Sequence, residues 1–367
     1  MDFTCSRTEF SKGLKLAEHL TDRVSAIPSL QGILLETRKN KVIIRSTDLN
    51  TGFETEISVR EVRREGSVVV PVRPSIQLIS SVGGDSVRVE ADGAAIRFAT
   101  TTSVSTLKGY PKEDFPTMPK IKEGERFSIS AEDFLKTAHS VVFAASRSDI
   151  RPEIASVLVR GCSDGLIKIA ATDSFRLAER SFAHKNITPF SLLFPWRRMG
   201  EFIRILENFS GDLDCMFDGQ QFLAKHPSFS YFTRLTEGKF PDYEQVVPRS
   251  FTTEATLNRA EFLEHTKLAG IFSGQMKEMR FKVYPSDGLL EIQTTDSEVG
   301  EHSSRIKANV TGEGLEMSFN QRYVTEGLDP LSSEAILLRF SGPGRPLLIQ
   351  NPQDVSYMYL VMPMKTV

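Results

Sequence analysis

Short stretches in which apolar and polar residues alternate recur along this chain, and each stretch predicts a half-buried β-strand. One of them, residues 166–170, leads into the segment 171–178, whose sequence is ATDSFRLA. Other segments carry apolar residues at helical spacing, for example Phe134, Leu135, Ala138, Val141 and Val142. The pattern predicts an α+β fold in which strands outnumber helices.

A Thr-Asp pair closes three of the predicted strands and recurs at an almost constant spacing. The pairs are Thr47-Asp48, Thr172-Asp173 and Thr295-Asp296, so 125 residues separate the first two threonines and 123 separate the last two. Solenoid repeats are much shorter, at about 20–50 residues. The long period therefore predicts three similar domains laid end to end.

Each copy repeats the same order of predicted elements. A short strand leads into a first helix, two strands meet at the Thr-Asp corner, another strand leads into a second helix, and a hairpin closes the copy. The hairpin turns carry glycine, as tight turns require. The predicted second helices are residues 75–82, 198–206 and 322–327, and the predicted turns are Asp92-Gly93, Asp218-Gly219 and 342–344.

Proline-punctuated segments mark the places where this pattern starts again. They are residues 115–119 and 240–248. We therefore predict three tandem domains, 1–120, 121–248 and 249–367, each with two helices against antiparallel sheets.

Composition and charge restrict the partners that this protein can have. The 367 residues are 40% hydrophobic and 25% charged, and the formal net charge is −2. Proteins that bind nucleic acid through bulk charge are usually basic, so DNA binding here would need basic residues segregated on one surface. The N-terminus lacks the apolar core of a signal peptide, and the three cysteines (Cys5, Cys162 and Cys215) have no metal-type spacing. We expect a cytoplasmic protein with reduced thiols and no membrane segment.

The sequence offers little support for catalysis. Asp48, Asp173 and Asp296 lie in separate predicted domains, so a strand-ending turn explains them better than a shared acidic active site. The six histidines form no metal-binding pattern, and the glycine-rich segments lack the lysine and hydroxyl group of a phosphate-binding loop. We predict a protein that is not an enzyme and uses no cofactor or metal. An enzyme with a site at a Thr-Asp corner is the alternative.

Three longer motifs resemble those of the bacterial DNA polymerase sliding clamp family, the β subunit of the replicative polymerase. They are ATDSFRLA at 171–178, KFPDY at 239–243 and YLVMPMK at 359–365, and the order of the three copies matches over the whole chain. The resemblance implies a DNA clamp fold that forms half of a ring, completed by a head-to-tail homodimer around double-stranded DNA. It also implies a processivity factor that performs no chemistry. The alternative is a peptide-binding repeat scaffold that does not encircle DNA.

The resemblance further implies a groove that binds short peptide motifs of the polymerase catalytic subunit, the clamp loader and repair proteins. The matching positions are Ile154, Thr172, Ser174, Phe175, Arg176, Leu177, Pro241, Val246, Asn320, Tyr323, Val361, Met362, Pro363 and Met364. Methionine and branched apolar side chains suit several ligands, and Arg176 could hold the polar end of a peptide. This sequence has Ser174-Phe175 where glycine and histidine or tyrosine are commoner in the family, and it ends in Lys365-Thr366-Val367.

Basic residues on the predicted helices and on their flanking loops are the candidates for facing DNA. They are Arg23, Arg73, Lys136, Arg147, Arg197, Arg198, Arg204, Lys267 and Lys277. Mobile lysine and arginine side chains contact phosphates without reading bases, as sliding requires. Solvated helix faces are the alternative explanation, because Glu201 and Glu264 share the same segments. For the subunit interface we expect edge strands within 96–106 and 272–284.

Overall fold

The computed structural model describes residues 1–21, 27–118, 121–185 and 187–365, which fold into two compact units. Unit 1 comprises Met1–Glu132 and Glu201–Leu235, and unit 2 comprises Asp133–Gly200 and Thr236–Val367. The described residues form six helices, none of them long and apolar enough to cross a membrane. The helices are α1 (Arg7–Glu18), α2 (Val72–Ser81), α3 (Ala131–His139), α4 (Trp196–Leu206), α5 (Arg259–Ile271) and α6 (Gln321–Leu328).

The strands include the predicted order of elements in each copy, with more strands than the alternating pattern predicts. In the first third of the chain they are β1 (Asp2–Ser6), β2 (Gly32–Arg38), β3 (Lys41–Thr47), β4 (Thr51–Ser58), β5 (Glu61–Arg64), β6 (Ser67–Pro71), β7 (Ser86–Asp92), β8 (Ala95–Ala99) and β9 (Val104–Lys108). In the middle third they are β10 (Glu125–Ser130), β11 (Ser156–Gly161), β12 (Leu166–Thr172), β13 (Arg176–Ala183), β14 (Phe190–Pro195), β15 (Asp212–Phe217), β16 (Gln221–His226) and β17 (Phe229–Arg234). In the last third they are β18 (Thr253–Asn258), β19 (Glu278–Tyr284), β20 (Leu289–Asp296), β21 (Gly300–Lys307), β22 (Asn309–Gly312), β23 (Leu315–Asn320), β24 (Ala335–Phe340), β25 (Leu347–Asn351) and β26 (Asp354–Val361).

The second helix and the hairpin of each copy are confirmed. Helices α2, α4 and α6 each begin directly after a strand, and the predicted turns join β7 to β8, β15 to β16 and β24 to β25. At these turns Gly93, Gly219 and Gly342 have φ angles of 56°, 91° and 98°. Glycine adopts this left-handed backbone at the least cost, so the turn residues determine where each strand reverses.

The three Thr-Asp corners are hydrogen-bonded turns, as predicted. In each corner the Oδ1 atom of the aspartate (Asp48, Asp173 or Asp296) accepts the backbone N–H groups of the residues two and three positions later, at 2.8–3.1 Å. Such an aspartate accepts hydrogen bonds from the backbone N–H groups that follow it. These bonds take the place of strand-to-strand hydrogen bonds at the point where the chain reverses. The three carboxylates are therefore occupied in local turns.

Unit 1 contains two antiparallel sheets. The five-stranded sheet has the order β5-β1-β7-β8-β9, and the eight-stranded sheet has the order β10-β15-β16-β17-β4-β3-β2-β6. Ser6 caps α1 by accepting the N–H of Glu9, and Phe10 of this helix packs edge to face on Phe3, with ring centroids 6.0 Å apart. The apolar face of α1 is thereby fixed in the core between strands of both sheets.

Unit 2 contains a nine-stranded and a four-stranded antiparallel sheet. Their orders are β14-β11-β12-β13-β26-β25-β24-β18-β22 and β21-β20-β19-β23. The strand β26 connects the two halves of the larger sheet, and its Tyr359 is fully buried. The Tyr359 hydroxyl donates to the carbonyl of Tyr323 in α6 at 2.8 Å. Helix α6, the strand β26 and the corner after β12 therefore belong to one packed region.

The expected edge strands are correct in one segment and wrong in the other. The strand β19, within the expected interface segment 272–284, pairs on both sides, with β20 and β23. The edge on the β20 side is β21 instead, and in unit 1 the segment 96–106 does reach the edge strand β9. An alternating pattern identifies a strand but not its neighbours, because pairing depends on residues far away in the sequence.

Candidate functional site

The corner between β12 and β13 forms the centre of the predicted peptide-binding residues. Thr172 Oγ1 donates to the carbonyl of Arg176 at 2.7 Å and accepts the N–H of Ser174 at 3.2 Å. Ser174 has φ +77°, and Leu49, at the equivalent position of the first corner, has φ +74°. This left-handed backbone costs a non-glycine residue about 1–2 kcal/mol, a cost that glycine does not carry. The turn leaves Phe175 60% exposed.

Arg176 is the buried anchor of this corner. Its side chain is 6% exposed, its Nε donates to Asp173 Oδ2 at 2.9 Å, and its Nη2 donates to the carbonyl of Phe143 at 2.9 Å. Its Nη1 donates to Glu326 of α6, and the ring of Tyr323 lies 4.5 Å from the guanidinium carbon. All three guanidinium nitrogen atoms have partners inside the chain. Arg176 therefore ties the corner to α6, and its expected contact with the polar end of a peptide stays a prediction.

The carboxylate of Glu326 stays ionised in spite of its half-buried position. Burial would raise the pKa of Glu326, but hydrogen bonds from Arg176 and Arg322 and the two positive charges outweigh it and hold the pKa below its ordinary value. Nearby cations and hydrogen bonds to the charged form both act in this direction. The ion pair between β13 and α6 is therefore intact at neutral pH.

The C-terminal segment 361–364 crosses this corner in an extended form. Val361 pairs with Arg176 in the ladder between β26 and β13, and the N–H of Met362 donates to the carbonyl of Phe175 at 2.8 Å. The N–H of Met364 donates to the carbonyl of Ser318 in β23 at 2.8 Å. These backbone bonds hold the segment in place, and the Met362 side chain stays 38% exposed.

The fourteen predicted residues, which we call the candidate peptide-binding site, all belong to unit 2. They divide into a buried support and an exposed apolar surface. The buried residues are Ile154, Thr172, Arg176, Leu177 and Val361; the half-buried residues are Pro241, Asn320, Tyr323, Pro363 and Met364; the exposed residues are Ser174, Phe175, Val246 and Met362. A backbone hydrogen bond joins Met362 to Phe175, so two large exposed apolar side chains lie at this corner, which is typical of a binding surface.

The basic residues predicted to face DNA are mostly exposed. Among those that the structure describes, Arg73, Lys136, Arg147, Arg197, Arg204, Lys267 and Lys277 are exposed and Arg198 is half-buried, whereas Arg23 lies outside the described residues. Arg147 and Arg197 both stack on the indole of Trp196, with guanidinium carbons 3.9 and 5.4 Å from the ring centroid. A cation held over an aromatic face keeps its charge and loses some of its freedom, so these two arginines are preordered.

Sequence reasoning missed the residues that hold the site together. Phe143 and Glu326, both partners of Arg176, were not predicted, and neither was the pair of Tyr243 and Glu179, in which the tyrosine hydroxyl donates to the carboxylate. No local motif marks these pairings, because each residue acts through a partner that is distant in the sequence.

Comparisons with known proteins agree with this architecture. Models of the DNA polymerase III beta subunit match the chain in succession: the N-terminal domain over residues 1–119, the central domain over 128–242 and the C-terminal domain over 244–365. A beta sliding clamp of Staphylococcus epidermidis is 24% identical over 378 residues, covering 100% of both chains. The solved sliding clamp of Pseudomonas aeruginosa bound to griselimycin aligns with a TM-score of 0.95 at 24% identity, and the beta subunit of Thermotoga maritima with 0.94 at 22%, each over 100% of both chains. The α+β fold with three tandem domains is that of the clamps.

Proposed function

Because this chain belongs to the DNA polymerase III beta subunit family and has the fold of the sliding clamps, we propose that it is a processivity factor that encircles double-stranded DNA. Two copies form the ring head to tail, and the candidate peptide-binding site tethers the polymerase catalytic subunit, the clamp loader and repair proteins. The protein works in the cytoplasm without catalysis or a cofactor. The observation that carries the tethering role is the exposure of three apolar side chains of the candidate peptide-binding site, those of Phe175, Val246 and Met362.

Exposed basic residues on the helices support the contact with DNA. Arg73 lies on α2, Lys136 on α3, Arg197 and Arg204 on α4, and Lys267 on α5. Each adds a charge that can neutralise a phosphate without reading a base. A net charge of −2 does not favour tight electrostatic binding to DNA. This proposal does not need tight binding, because a closed ring is retained by its topology.

Two edge strands support the head-to-tail contact. The strand β9 ends the five-stranded sheet of unit 1, and β21 ends the four-stranded sheet of unit 2. Edge strands present unpaired N–H and C=O groups that can pair with another chain. Val104 in β9 and Val299 beside β21 are 55% and 58% exposed. Both side chains would be covered if β9 of one copy paired with β21 of the next.

Retention on DNA tests the ring. After loading by the clamp loader of the same organism, the protein is expected to co-elute with a nicked circular plasmid in gel filtration and to be lost when the plasmid is linearised. A ring slides off free ends, whereas a protein bound by charge alone does not distinguish the two forms. A peptide-binding scaffold that does not encircle DNA would be lost from both, and that result would contradict the proposal.

The same assay tests the basic helix α4. Arg197→Glu is expected to shorten the retention time on circular DNA about twofold to fivefold at 0.1 M salt, and its difference from the wild type should shrink as salt rises, because screening weakens the phosphate contact that the variant lacks. Arg345→Glu changes the net charge equally at an exposed turn between β24 and β25, and it should leave retention unchanged. Equal behaviour of the two variants would place Arg197 away from DNA.

The affinity for the polymerase tests the candidate peptide-binding site. Val246→Asp is expected to weaken binding of the polymerase III catalytic subunit of the same organism at least about tenfold, because a charge on an apolar docking surface must be desolvated without a partner. Surface plasmon resonance with the immobilised catalytic subunit measures the change. The control is Val355→Asp, since Val355 is an exposed valine (84%) of the same unit. A loss of affinity in the control as large as that in Val246→Asp would count against the site.

A further inference from the structure

The segment 240–247, which we call the strap, carries two residues of the candidate peptide-binding site and is fastened to the face of the nine-stranded sheet. Phe240 and Tyr243 are 7% and 5% exposed, in one apolar cluster with Leu158, Leu177 and Leu360. Their rings meet edge to face, with centroids 5.9 Å apart. Three residues after Tyr243, the side chain of Val246 is 54% exposed. The strap therefore has two buried aromatic residues and one exposed apolar residue.

The hydroxyl of Tyr243 holds the strap against the strand β13. It donates to the carboxylate of Glu179 in β13. Glu179 lies two positions after Leu177 in the strand, so the two side chains are on the same face of the sheet. Burial and the Glu179 carboxylate raise the pKa of Tyr243 above its ordinary value, and the hydroxyl remains a donor at physiological pH. The hydrogen bond joins the strap to the strand that also carries Arg176 and Leu177.

Glu244 fixes the strap along the sheet. Arg160 and Lys168 are directly paired across β11 and β12, and like charges at such a pair destabilise a sheet. Glu244 forms an ion pair with Arg160, and its Oε1 lies 3.8 Å from Lys168 Nζ. Lys168 also lies 4.0 Å from Glu179. The carboxylate of the strap thus neutralises two cations that repel each other in its absence.

The segment just before residues 115–119, which we call the first linker, contacts its own sheet at equivalent positions. The charges at this contact have signs opposite to those at the strap. Arg45 in β3 forms ion pairs with Glu36 in β2, at 2.6 Å, and with Glu54 in β4. Glu36 and Arg45 stand 124 and 123 residues before Arg160 and Lys168. Lys112, from the segment before 115–119, lies 4.0 Å from Glu36. Lys112 of the first linker therefore contacts an anion of its sheet, whereas Glu244 of the strap contacts two cations.

We propose that Tyr243 and Glu244 are positioning residues for polymerase binding: they hold the strap so that Pro241 and Val246 form one wall of the candidate peptide-binding site. The inference rests on the proposed function of that site. Gln245 adds a brace within the strap, because its Nε2 donates to Asp242 Oδ2 at 2.7 Å. Because these contacts hold residues 242–245, the orientation of Val246 is fixed before the partner binds. Binding then does not carry the entropic cost of ordering this residue.

A charge-swap experiment on the full-length protein tests the positioning role. Glu244→Arg is expected to weaken binding of the polymerase III catalytic subunit about fivefold to tenfold, and the double variant Arg160→Glu/Glu244→Arg should restore affinity to within about twofold of wild type. Tyr243→Phe keeps the ring in the core and removes only the hydroxyl, so it should weaken binding about threefold and lower the urea midpoint slightly, because the Glu179 carboxylate loses its donor. Lys112→Glu disturbs the equivalent contact of the first linker and should leave the affinity unchanged.

The outcomes separate this inference from the proposed function. If the wild-type protein does not bind the catalytic subunit, or Val246→Asp binds as well as wild type, the proposed function fails. If Val246→Asp weakens binding but Glu244→Arg and Tyr243→Phe do not, the positioning role is overturned and the proposed function stands. A loss in Glu244→Arg that the Arg160→Glu substitution does not restore also overturns it, because the ion pair is then not the cause.

Discussion

Replacement of Arg176 by methionine is expected to lower the free energy of unfolding by about 3–5 kcal/mol, the usual cost of removing one partner of a buried ion pair. The change removes one donor from each of three acceptors, which are the carboxylates of Asp173 and Glu326 and the carbonyl of Phe143. The methionine fills much of the space, so the loss comes from uncompensated polar groups and not from a cavity. Urea unfolding followed by circular dichroism measures the change.

Arg322→Met is the matched control, because Arg322 bonds the same Glu326 carboxylate from the surface. Its Nε lies 2.6 Å from Glu326 Oε1, and its side chain is 68% exposed, against 6% for Arg176. Exposed ion pairs contribute about 0–1 kcal/mol, so this variant should unfold close to the wild type. Equal losses in the two variants would show that burial of Arg176 is not the source of its contribution.

The Arg176→Met effect is expected to depend on pH with a definite sign. The folded protein holds the pKa of Glu326 below the ordinary value of 4.5, so the carboxylate stabilises the folded state above that value and loses this contribution as the pH falls through the folded pKa. The difference between wild type and Arg176→Met should therefore be constant between pH 7 and about pH 5, and shrink at lower pH. A difference that grows on acidification would contradict the assignment.

Gly327→Ala is expected to cost about 1–3 kcal/mol, although alanine normally favours a helix. A Cβ atom on Gly327 would overlap Cδ1 and Cε1 of the Tyr359 ring and lie 2.9 Å from its Cγ. The ring cannot retreat easily, because its hydroxyl is bonded to the Tyr323 carbonyl and its other neighbours include Phe143, at 5.6 Å between centroids. The urea midpoint should fall in proportion to this overpacking.

Gly200→Ala provides the control for backbone and propensity effects. Gly200 lies within α4 and has nothing within 4 Å of an added Cβ atom. Here the alanine removes unfolded-state freedom without a clash, so stability should rise by about 0.5–1 kcal/mol. If both glycine variants shifted the midpoint in the same direction and by the same amount, contact with Tyr359 would not explain the result at Gly327.

The sequence predicts those parts of the fold that neighbouring residues decide. The Thr-Asp corners, the glycine turns and the second helices each depend on a few adjacent side chains, and the structure confirms them at Asp173, Gly219 and α4. Strand neighbours depend on residues that are far apart: Thr55 of β4 pairs with Phe229 of β17. Such pairing leaves no local signal, which is why β19 could not be recognised as a central strand.

The candidate site shows the same division. Two of its apolar residues stand out in the sequence, since Met362 and Met364 flank a proline after an alternating strand. The role of Arg176 does not, because its partner Glu326 is 150 residues away. A buried arginine and an exposed arginine have the same sequence appearance, and only the structure shows that all three guanidinium nitrogen atoms of Arg176 have partners within the chain.

The pairing of β17 with β4 means that a single repeat cannot be excised as a separate protein. In the eight-stranded sheet β4 has β3 on one side and β17, from the following repeat, on the other. A truncated product ending near residue 120 would expose a full strand of unsatisfied backbone groups, which other chains could extend into aggregates. The interlocked sheet thus makes synthesis of the chain through β17, which ends at Arg234, a condition for covering this edge of the first repeat.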